Sequence, residues 1–460
     1  MIQEPNLIAA IDIGTTKIVA LVGRKMFNGT IEVVGIESVP STGVKRGVVI
    51  NIDETAEAIT SAVQRLENRL NLRITDVYVG IAGMHIKSGS NKCYKFIEAP
   101  HEIRQSDIEH LYNENFKLSI DPNVQILHVI PQDFVIDSEP GNTKPVGMYG
   151  NRIEGNYHIV LGSKTSVRNI EKCIQRAGLR LNEMILEPLA SSRAVITDDE
   201  KEAGVVLVDI GGGSTDVAVF YDGILRHTAV IPFGGNVVTS DIREGCAVRA
   251  KQAESLKVRF GSAMSDGERE DVVVSIPSTQ GWEPREVAVK SLSFIIQSRM
   301  EEIILEVVQE IEKSGCYEKL GAGIVLTGGG GMLRNLVPLI KLNTGLDVRI
   351  GNPTEFVGSS AEDGIDSPMM ATGIGLLLMA MDKPVKKVVE QQPSLFADEP
   401  MVTPNDEVIK EKDKHKTQRK EKSKQERQRR EYITGNLFGS FADSVKDSLA
   451  GFFDDKDSPM

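Results

Sequence analysis

Asp12-Ile13-Gly14-Thr15-Thr16-Lys17 and Asp209-Ile210-Gly211-Gly212-Gly213-Ser214-Thr215-Asp216 are two versions of one phrase. Each follows an apolar run and leads into a second one, which reads as strand, glycine turn, strand. A third glycine turn, Thr327-Gly328-Gly329-Gly330-Gly331, follows the strand-like run 324–326. The recurrence predicts a duplicated α/β unit with its glycine turns at strand ends.

Such turns suit anions. A residue without Cβ lets backbone N–H groups approach a phosphate closely. The first turn adds the hydroxyls of Thr15 and Thr16 and the ammonium of Lys17; the second adds Ser214. Asp12 and Asp209, at equivalent strand ends, are placed to share a hydrated Mg²⁺ beside phosphates. The third turn offers bare backbone against which a base or sugar can lie. A single Asp-x-Gly turn is more often an ordinary tight turn, so the weight rests on three in series. No Gly-x-x-x-x-Gly-Lys-Ser/Thr loop occurs at these turns, which sets a Walker A nucleotide site aside.

Working outward, 31–38 predicts a further strand, and 53–70 a helix on the spacing of Ile59, Val63, Leu66 and Leu70, with Asp53 as N-cap. A short strand, 76–82, ends at Gly83, and 85–162 lacks a long periodic helix and reads as a small inserted subdomain. Helices are expected over 166–177, 241–259 and 298–313, and a short strand at 184–186 stops at Glu187-Pro188. The most apolar stretch, 369–381, is thirteen residues with two glycines. A membrane span needs about 20 apolar residues, so this predicts a core helix.

The 460 residues carry a net charge of −12, which argues against a dedicated nucleic-acid binder. Cys93, Cys173, Cys246 and Cys316 form no Cys-x-x-Cys pair, so reduced thiols are expected rather than a disulfide scaffold or structural zinc. Residues 1–7 are polar and include Glu4 and Pro5, so no secretory signal is expected and the protein is placed in the cytoplasm. The histidines and Trp282 show no spacing that suggests a site.

Beyond 384 the composition changes. Residues 410–430 hold eleven Lys/Arg against four Asp/Glu, net +7, and predict a disordered linker. At 100° per residue, Leu437, Phe438, Phe441, Val445, Leu449, Phe452 and Phe453 fall within about 160° of one another. Asp443, Lys446 and Asp447 take the other face, so the helix itself lacks the usual basic polar side. The preceding basic run can supply that attraction, at about 1 kcal/mol per base near an anionic surface. Docking in a partner's groove is the competing reading.

These motifs resemble the actin/Hsp70/sugar-kinase superfamily: 12–17 its first phosphate loop, 209–216 its second, and 327–331 its adenosine motif. Glu187-Pro188-Leu189-Ala190 and 369–375 sit where that superfamily has its interdomain helices. Within it the chain resembles the bacterial cell-division FtsA family, through Ile81-Ala82-Gly83-Met84-His85-Ile86, Phe233-Gly234-Gly235, Ala253-Glu254-Ser255-Leu256-Lys257 and the amphipathic ending.

The resemblance implies an α/β, actin-like ATPase fold: two ribonuclease-H-like halves around a nucleotide cleft, with an inserted 1C subdomain and a disordered C-terminal tail. Domain 1A would comprise 1–83, 164–200 and 353–384; 1C, 84–163; 2A, 201–228 and 298–352; and 2B, 229–297. A charged linker, 385–432, and a membrane-targeting helix, 433–454, would follow. ATP and Mg²⁺ are the implied cofactors, with Asp12 and Asp209 orienting the ion's water shell and Asp216 as a further candidate. Gly14, Thr15, Thr16, Lys17, Gly211, Gly212, Gly213 and Ser214 would hold phosphates. Glu254 and Lys257, otherwise a plain surface ion pair, would contact ribose or base, and Gly328, Gly329 and Gly330 would flank the adenosine. Glu187 would orient an attacking water or, on the competing reading, merely end a strand before Pro188. Any hydrolysis would be weak.

The implied partners are the tubulin-like FtsZ, further copies of the chain in a filament, later division proteins and the inner membrane, at whose cytoplasmic face the protein would sit at the division site. A sugar-kinase-like phosphotransferase and an actin-like scaffold of a pilus or shape system are the alternatives.

Overall fold

The computed structural model describes residues 7–27, 29–99, 101–268, 271–277, 284–358 and 364–382. All lie in the first of two units, Met1–Val385 and Lys386–Met460. The predicted linker at 385–432, the amphipathic helix at 433–454 and Trp282 lie outside the described residues.

The chain opens with β1 (Leu7–Ile13), β2 (Lys17–Lys25) and β3 (Ile31–Pro40), then a small hairpin of β4 (Val44–Lys45) and β5 (Val48–Val49). Helix α1 (Ile52–Leu70) and β6 (Asp76–Ile81) follow. Asn51, not Asp53, caps α1: its side chain accepts the N–H groups of Asp53 and Glu54, and Asp53 lies in the first turn. An excursion of β7 (Lys87–Phe96), α2 (Gln105–Glu114), β8 (Val124–Ile136), β9 (Glu139–Asn142) and β10 (Arg152–Ser163) builds a separate four-stranded sheet, ordered β7-β10-β8-β9. The path returns through α3 (Lys164–Arg176), β11 (Arg180–Leu186) and α4 (Glu187–Val195). The first five-stranded sheet is thereby completed in the order β11-β6-β1-β2-β3.

After α5 (Asp198–Ala203) the pattern repeats with β12 (Val205–Ile210), β13 (Thr215–Tyr221) and β14 (Ile224–Ile231). Next come α6 (Gly235–Gly245), α7 (Ala250–Phe260), the ribbon β15 (Val273–Ile276) with β16 (Arg285–Ala288), and α8 (Val289–Lys313). The chain then runs through β17 (Gly323–Thr327), α9 (Gly328–Gly331), α10 (Leu336–Thr344), β18 (Val348–Ile350) and α11 (Ala371–Met381). The second sheet, β14-β13-β12-β17-β18, repeats the first strand for strand. In both, two antiparallel pairs on one side give way to two parallel pairs on the other.

Three further sequence expectations need correction. The region 241–259 is two helices, because the chain leaves the helix after Gly245 and Ala247 takes a left-handed φ of 48°. Helix α8 begins at Val289, well before 298, because Val289, Leu292, Ser293 and Ile296 extend its buried stripe. The third glycine turn is a single helical turn, α9, entered through Gly328 at φ +81°.

The core has a layer for each job. One cluster fills the first half between its sheet and α1 and α3, through Ile11, Val79, Ile59 and Ile170. Another fills the second half around Val208, Ile242, Ile304 and Leu326. A third joins them: Ala10 and Leu21 of the first sheet and Leu207 and Ala218 of the second pack on α4 and α11. These two helices meet closely enough that a Cβ on Gly375 would stand 1.8 Å from the Ala190 carbonyl oxygen. The inserted sheet has its own core, including Leu111, Phe134, Ile153 and Tyr157. Among the described residues no helix is long and apolar enough to cross a membrane.

Candidate functional site

The two hairpin turns face one another. A Cβ on Gly212 would stand 2.3 Å from Thr16 Cγ2, and one on Gly213 2.3 Å from Thr15 Oγ1. The rims therefore touch through threonine methyls and hydroxyls against bare glycine backbone. Behind them lies a cavity of about 140 Å³ lined by Asp12, Gly14, Thr15, Thr16, Lys17, Gly47, Glu187, Asp209, Gly211, Gly212, Gly213, Ser214, Asp216, Gly328, Gly329 and Thr372, among others. Small-molecule sites usually run to roughly 300–1,000 Å³. At this size the cavity takes an ion with water or a phosphate-sized group, and a larger ligand extends beyond it.

The floor is acidic. Asp12, near the end of β1, is 8 % exposed; Asp209, near the end of β12, is 6 % exposed; and Asp216 on β13 is 5 % exposed. Asp209 and Asp216 are directly opposite in register, a like-charge pair that a sheet tolerates poorly unless something offsets it. Asp209 is held from both interdomain helices: its Oδ2 accepts from Ser191 Oγ at 2.7 Å and from Thr372 Oγ1 at 3.2 Å. Gly328 leaves room for its other oxygen, since a Cβ there would meet Oδ1 at 2.3 Å. Among the described residues, the buried Asp216 Oδ1 has no hydrogen-bond partner.

Burial raises the Asp12 carboxyl to about 6; Lys17 opposes this and Asp209 adds to it. Asp216 and Glu187 are pushed well above the usual carboxylate range, first by burial and then by their acidic neighbours. Burial lowers the Lys17 ammonium, against the pull of Asp12 and Asp209. Its Nζ donates to the Met369 carbonyl at 3.0 Å, which ties the first turn to the segment before α11. Glu187 is the first residue of α4, and Gly80 on β6 leaves space for it: a Cβ there would be 2.9 Å from Oε1.

Glu254 and Lys257 are engaged with each other and with α6. Lys257 Nζ lies 2.8 Å from Glu254 Oε2 and donates to Thr239 Oγ1 at 2.8 Å and to Gly235 O at 2.9 Å. Gly330 packs on Ile210 rather than lining the cavity. Sequence reading missed Ser191, one of two adjacent serines in α4, and Thr372, the one hydroxyl in the otherwise apolar α11. It also missed Gly47, whose N–H donates to Thr15 Oγ1 at 3.1 Å. A lone hydroxyl in an apolar helix was the available signal for Thr372; Ser191, beside Ser192, carried none.

Among the described residues no three His, Cys, Asp or Glu side chains converge as a direct metal-ligand set. A cluster of hard oxygen donors with one orphaned carboxylate oxygen instead suits a divalent cation that keeps its water shell.

Comparison with known proteins gives these features a family. The family described as "Cell division protein FtsA" matches residues 206–375, and "SHS2 domain inserted in FTSA" matches 83–161. The cell division protein FtsA of Pseudomonas aeruginosa is 39% identical over 382 residues, 83% of this chain and 91% of that protein. The FtsA of Neisseria meningitidis serogroup B is 40% identical over 378 residues, 82% and 91% respectively. That of Escherichia coli is 35% identical over 381 residues, 81% and 90%. A solved structure described as a PilM-PilN type IV pilus biogenesis complex shares the fold, with a TM-score of 0.60 at 15% identity over 82% of this chain and 99% of that one. The duplicated sheets, the inserted subdomain and the relatives agree: the chain belongs to the FtsA family of actin-like cell-division proteins.

Proposed function

We propose that the chain binds Mg-ATP between its two halves and uses the bound state to set a polymer-forming geometry at the cytoplasmic face of the inner membrane. There it anchors FtsZ and recruits later division proteins. The observation that carries the nucleotide reading is the opposition of two glycine turns over three buried aspartates, one of them with an orphaned oxygen.

Asp12, Asp209 and Asp216 would hold hydrated Mg²⁺, which supplies charge neutralisation for the β- and γ-phosphates. The N–H groups of the 14–17 and 211–214 turns, with Thr15, Thr16, Ser214 and Lys17, bind phosphate oxygens. Gly328 and Gly329 leave the floor beside Asp209 and Met369 free of side chains. Glu187 reaches the same cavity and orients the attacking water, a task that is mostly positioning in phosphoryl chemistry. Glu254 and Lys257 act from the edge, bracing α7 on α6 so that the second half presents a fixed wall to the sugar and base.

Membrane attachment rests on the sequence of 433–454. Fully burying one Leu or Phe is worth roughly 1.5–3 kcal/mol, so several partly inserted side chains give reversible binding, and assembly into filaments multiplies it. FtsZ anchoring and self-assembly are supported by family membership. Liposome co-sedimentation of the full chain and of a version ending at Tyr432, with and without Mg-ATP, tests this reading. Loss of binding with the tail and strengthening with ATP are expected. Equal sedimentation of both forms would remove the membrane role.

A further inference from the structure

The inserted sheet is fastened to both halves. Covalently it belongs to the first. Three of its side chains reach β14, the outer strand of the second half: Ser88 Oγ donates to Thr228 O at 2.7 Å, Gln132 Nε2 donates to Leu225 O at 2.6 Å, and His158 Nε2 lies 2.8 Å from Thr228 Oγ1. His158 and Thr228 are 2 % and 3 % exposed, so this is a buried seam rather than a surface touch. Burial first, and then the neighbouring His227, push the His158 imidazole down to about 4; the ring is neutral and the contact an uncharged hydrogen bond. Along β14, Thr228 is opposite Ala218 and Val230 is opposite Asp216, so the seam sits one pleat from the orphaned cleft carboxylate.

A fourth contact reaches the base of the cleft. Leu186, at the N-cap of α4, has no side-chain cap and donates its N–H to His128 Nε2 on β8 at 3.1 Å. That bond places the His128 proton on Nδ1 and satisfies one of the orphan donors of a helix N-terminus. The next residue is Glu187. In the inserted sheet His158 is opposite Ile130 and His128 is opposite Val160, a regular stretch that puts both rings on one face. One histidine therefore holds the strand-to-helix junction of the first half, and the other holds the edge strand of the second.

We infer that the inserted subdomain is a strap across the cleft, which couples its own position to nucleotide occupancy. The inference rests on the cleft being the nucleotide site. The rims touch around a cavity of about 140 Å³, smaller than a nucleotide, and on this inference a nucleotide seated between them rotates one half against the other. Such a rotation either breaks the His158–Thr228 seam or carries the insert with the second half and pulls on His128. By reciprocity, anything that shifts the insert changes nucleotide affinity by the factor with which nucleotide changes its binding to the insert.

The test compares the full-length wild type with His158→Leu, which removes the bond, and His158→Gln, which keeps a polar partner for Thr228. Mg-ADP affinity is measured by calorimetry and amide exchange is followed in β8 and β10 with and without Mg-ADP. The strap predicts that Mg-ADP alters exchange around 127–130 and 158–161 in the wild type. It predicts that His158→Leu shifts the dissociation constant by about fivefold or more and loses that exchange response, with near wild-type behaviour in His158→Gln. If His158→Leu does not fold, Gln132→Ala at the half-buried end of the seam serves instead. Unchanged affinity together with unresponsive insert amides overturns the strap while leaving the nucleotide site intact. A wild type that binds no Mg-ADP overturns both.

Discussion

Replacing Asp12 by Asn tests whether the cleft floor is a strained anion cluster. In the folded chain the Asp12 carboxyl titrates at about 6, against 3.8 for the unperturbed group, chiefly because it is buried. A raised carboxylate pKa means that the folded state holds its proton longer than the unfolded state does. Below about pH 4 both states are protonated and the group has no effect on stability. As pH climbs to about 6 the unfolded chain ionises freely while the folded one resists, and above that the folded protein carries a penalty of about 3 kcal/mol, at 1.36 kcal/mol per pH unit. Asn occupies the same space without the charge. The penalty is already net of the opposing pull of Lys17, and an amide reproduces the neutral acid's surroundings only in part, so a net gain of about 1–2 kcal/mol is the expectation at pH 7.5. At roughly 2–4 °C per kcal/mol for a domain of this size, the melting point of the ligand-free protein rises by about 2–8 °C. Scanning fluorimetry of wild type and Asp12→Asn in EDTA, at pH 4.5 and pH 7.5, reads this directly. The gain should be clear at pH 7.5 and shrink at pH 4.5, and Mg-ATP should stabilise the wild type far more than the variant. An Asp12→Asn protein that is less stable at pH 7.5, or equally shifted at both pH values, would refute the electrostatic reasoning.

Three further outcomes follow from the packing and the cleft. Gly375→Val places a branched side chain where a Cβ alone would be 1.8 Å from the Ala190 carbonyl, so α4 and α11 must separate; urea denaturation should show a loss of about 3 kcal/mol or more, and a loss under about 1 kcal/mol would contradict the tight crossing. Gly213→Val collides with Thr15 Oγ1 at the rim rather than in a core, so nucleotide affinity should fall at least about tenfold while the melting point of the free protein moves little. Glu187→Gln removes the carboxylate proposed to orient the attacking water and should cut single-turnover ATP hydrolysis by about 10²-fold with nucleotide affinity kept; unchanged hydrolysis would return Glu187 to the role of a strand end.

Some of this was legible in the sequence for a physical reason. Strands β1, β2, β12 and β13 are buried on both faces, so they read as continuous apolar runs broken only by their glycine turns. A turn that brings backbone to backbone leaves few residue types free to occupy it, which is why 12–17 and 209–216 stand out. The insert was harder. Strand β8 is half-buried along most of its length and contains Pro131, and β7 is largely exposed, so neither alternation nor a continuous apolar run announces them. The break between α6 and α7 follows Gly245, but the residue that takes the left-handed turn is Ala247, so the glycine alone did not mark it. His128 and His158 were unreadable as a pair because their relation is cross-strand register, which no spacing along the chain encodes. Ser191 and Thr372 acquire their role only when two distant helices close on Asp209.

On the proposed reading, the paired turns and the acidic floor form one Mg-dependent nucleotide site. Its most direct test is calorimetric titration of ATP into the full-length protein with Mg²⁺ and with EDTA, repeated with Asp209→Asn. Saturable binding to one site per chain that weakens at least about tenfold in EDTA, and similarly in the variant, is the predicted result. Binding of equal strength in all four titrations, or none in the wild type with Mg²⁺, would contradict the account.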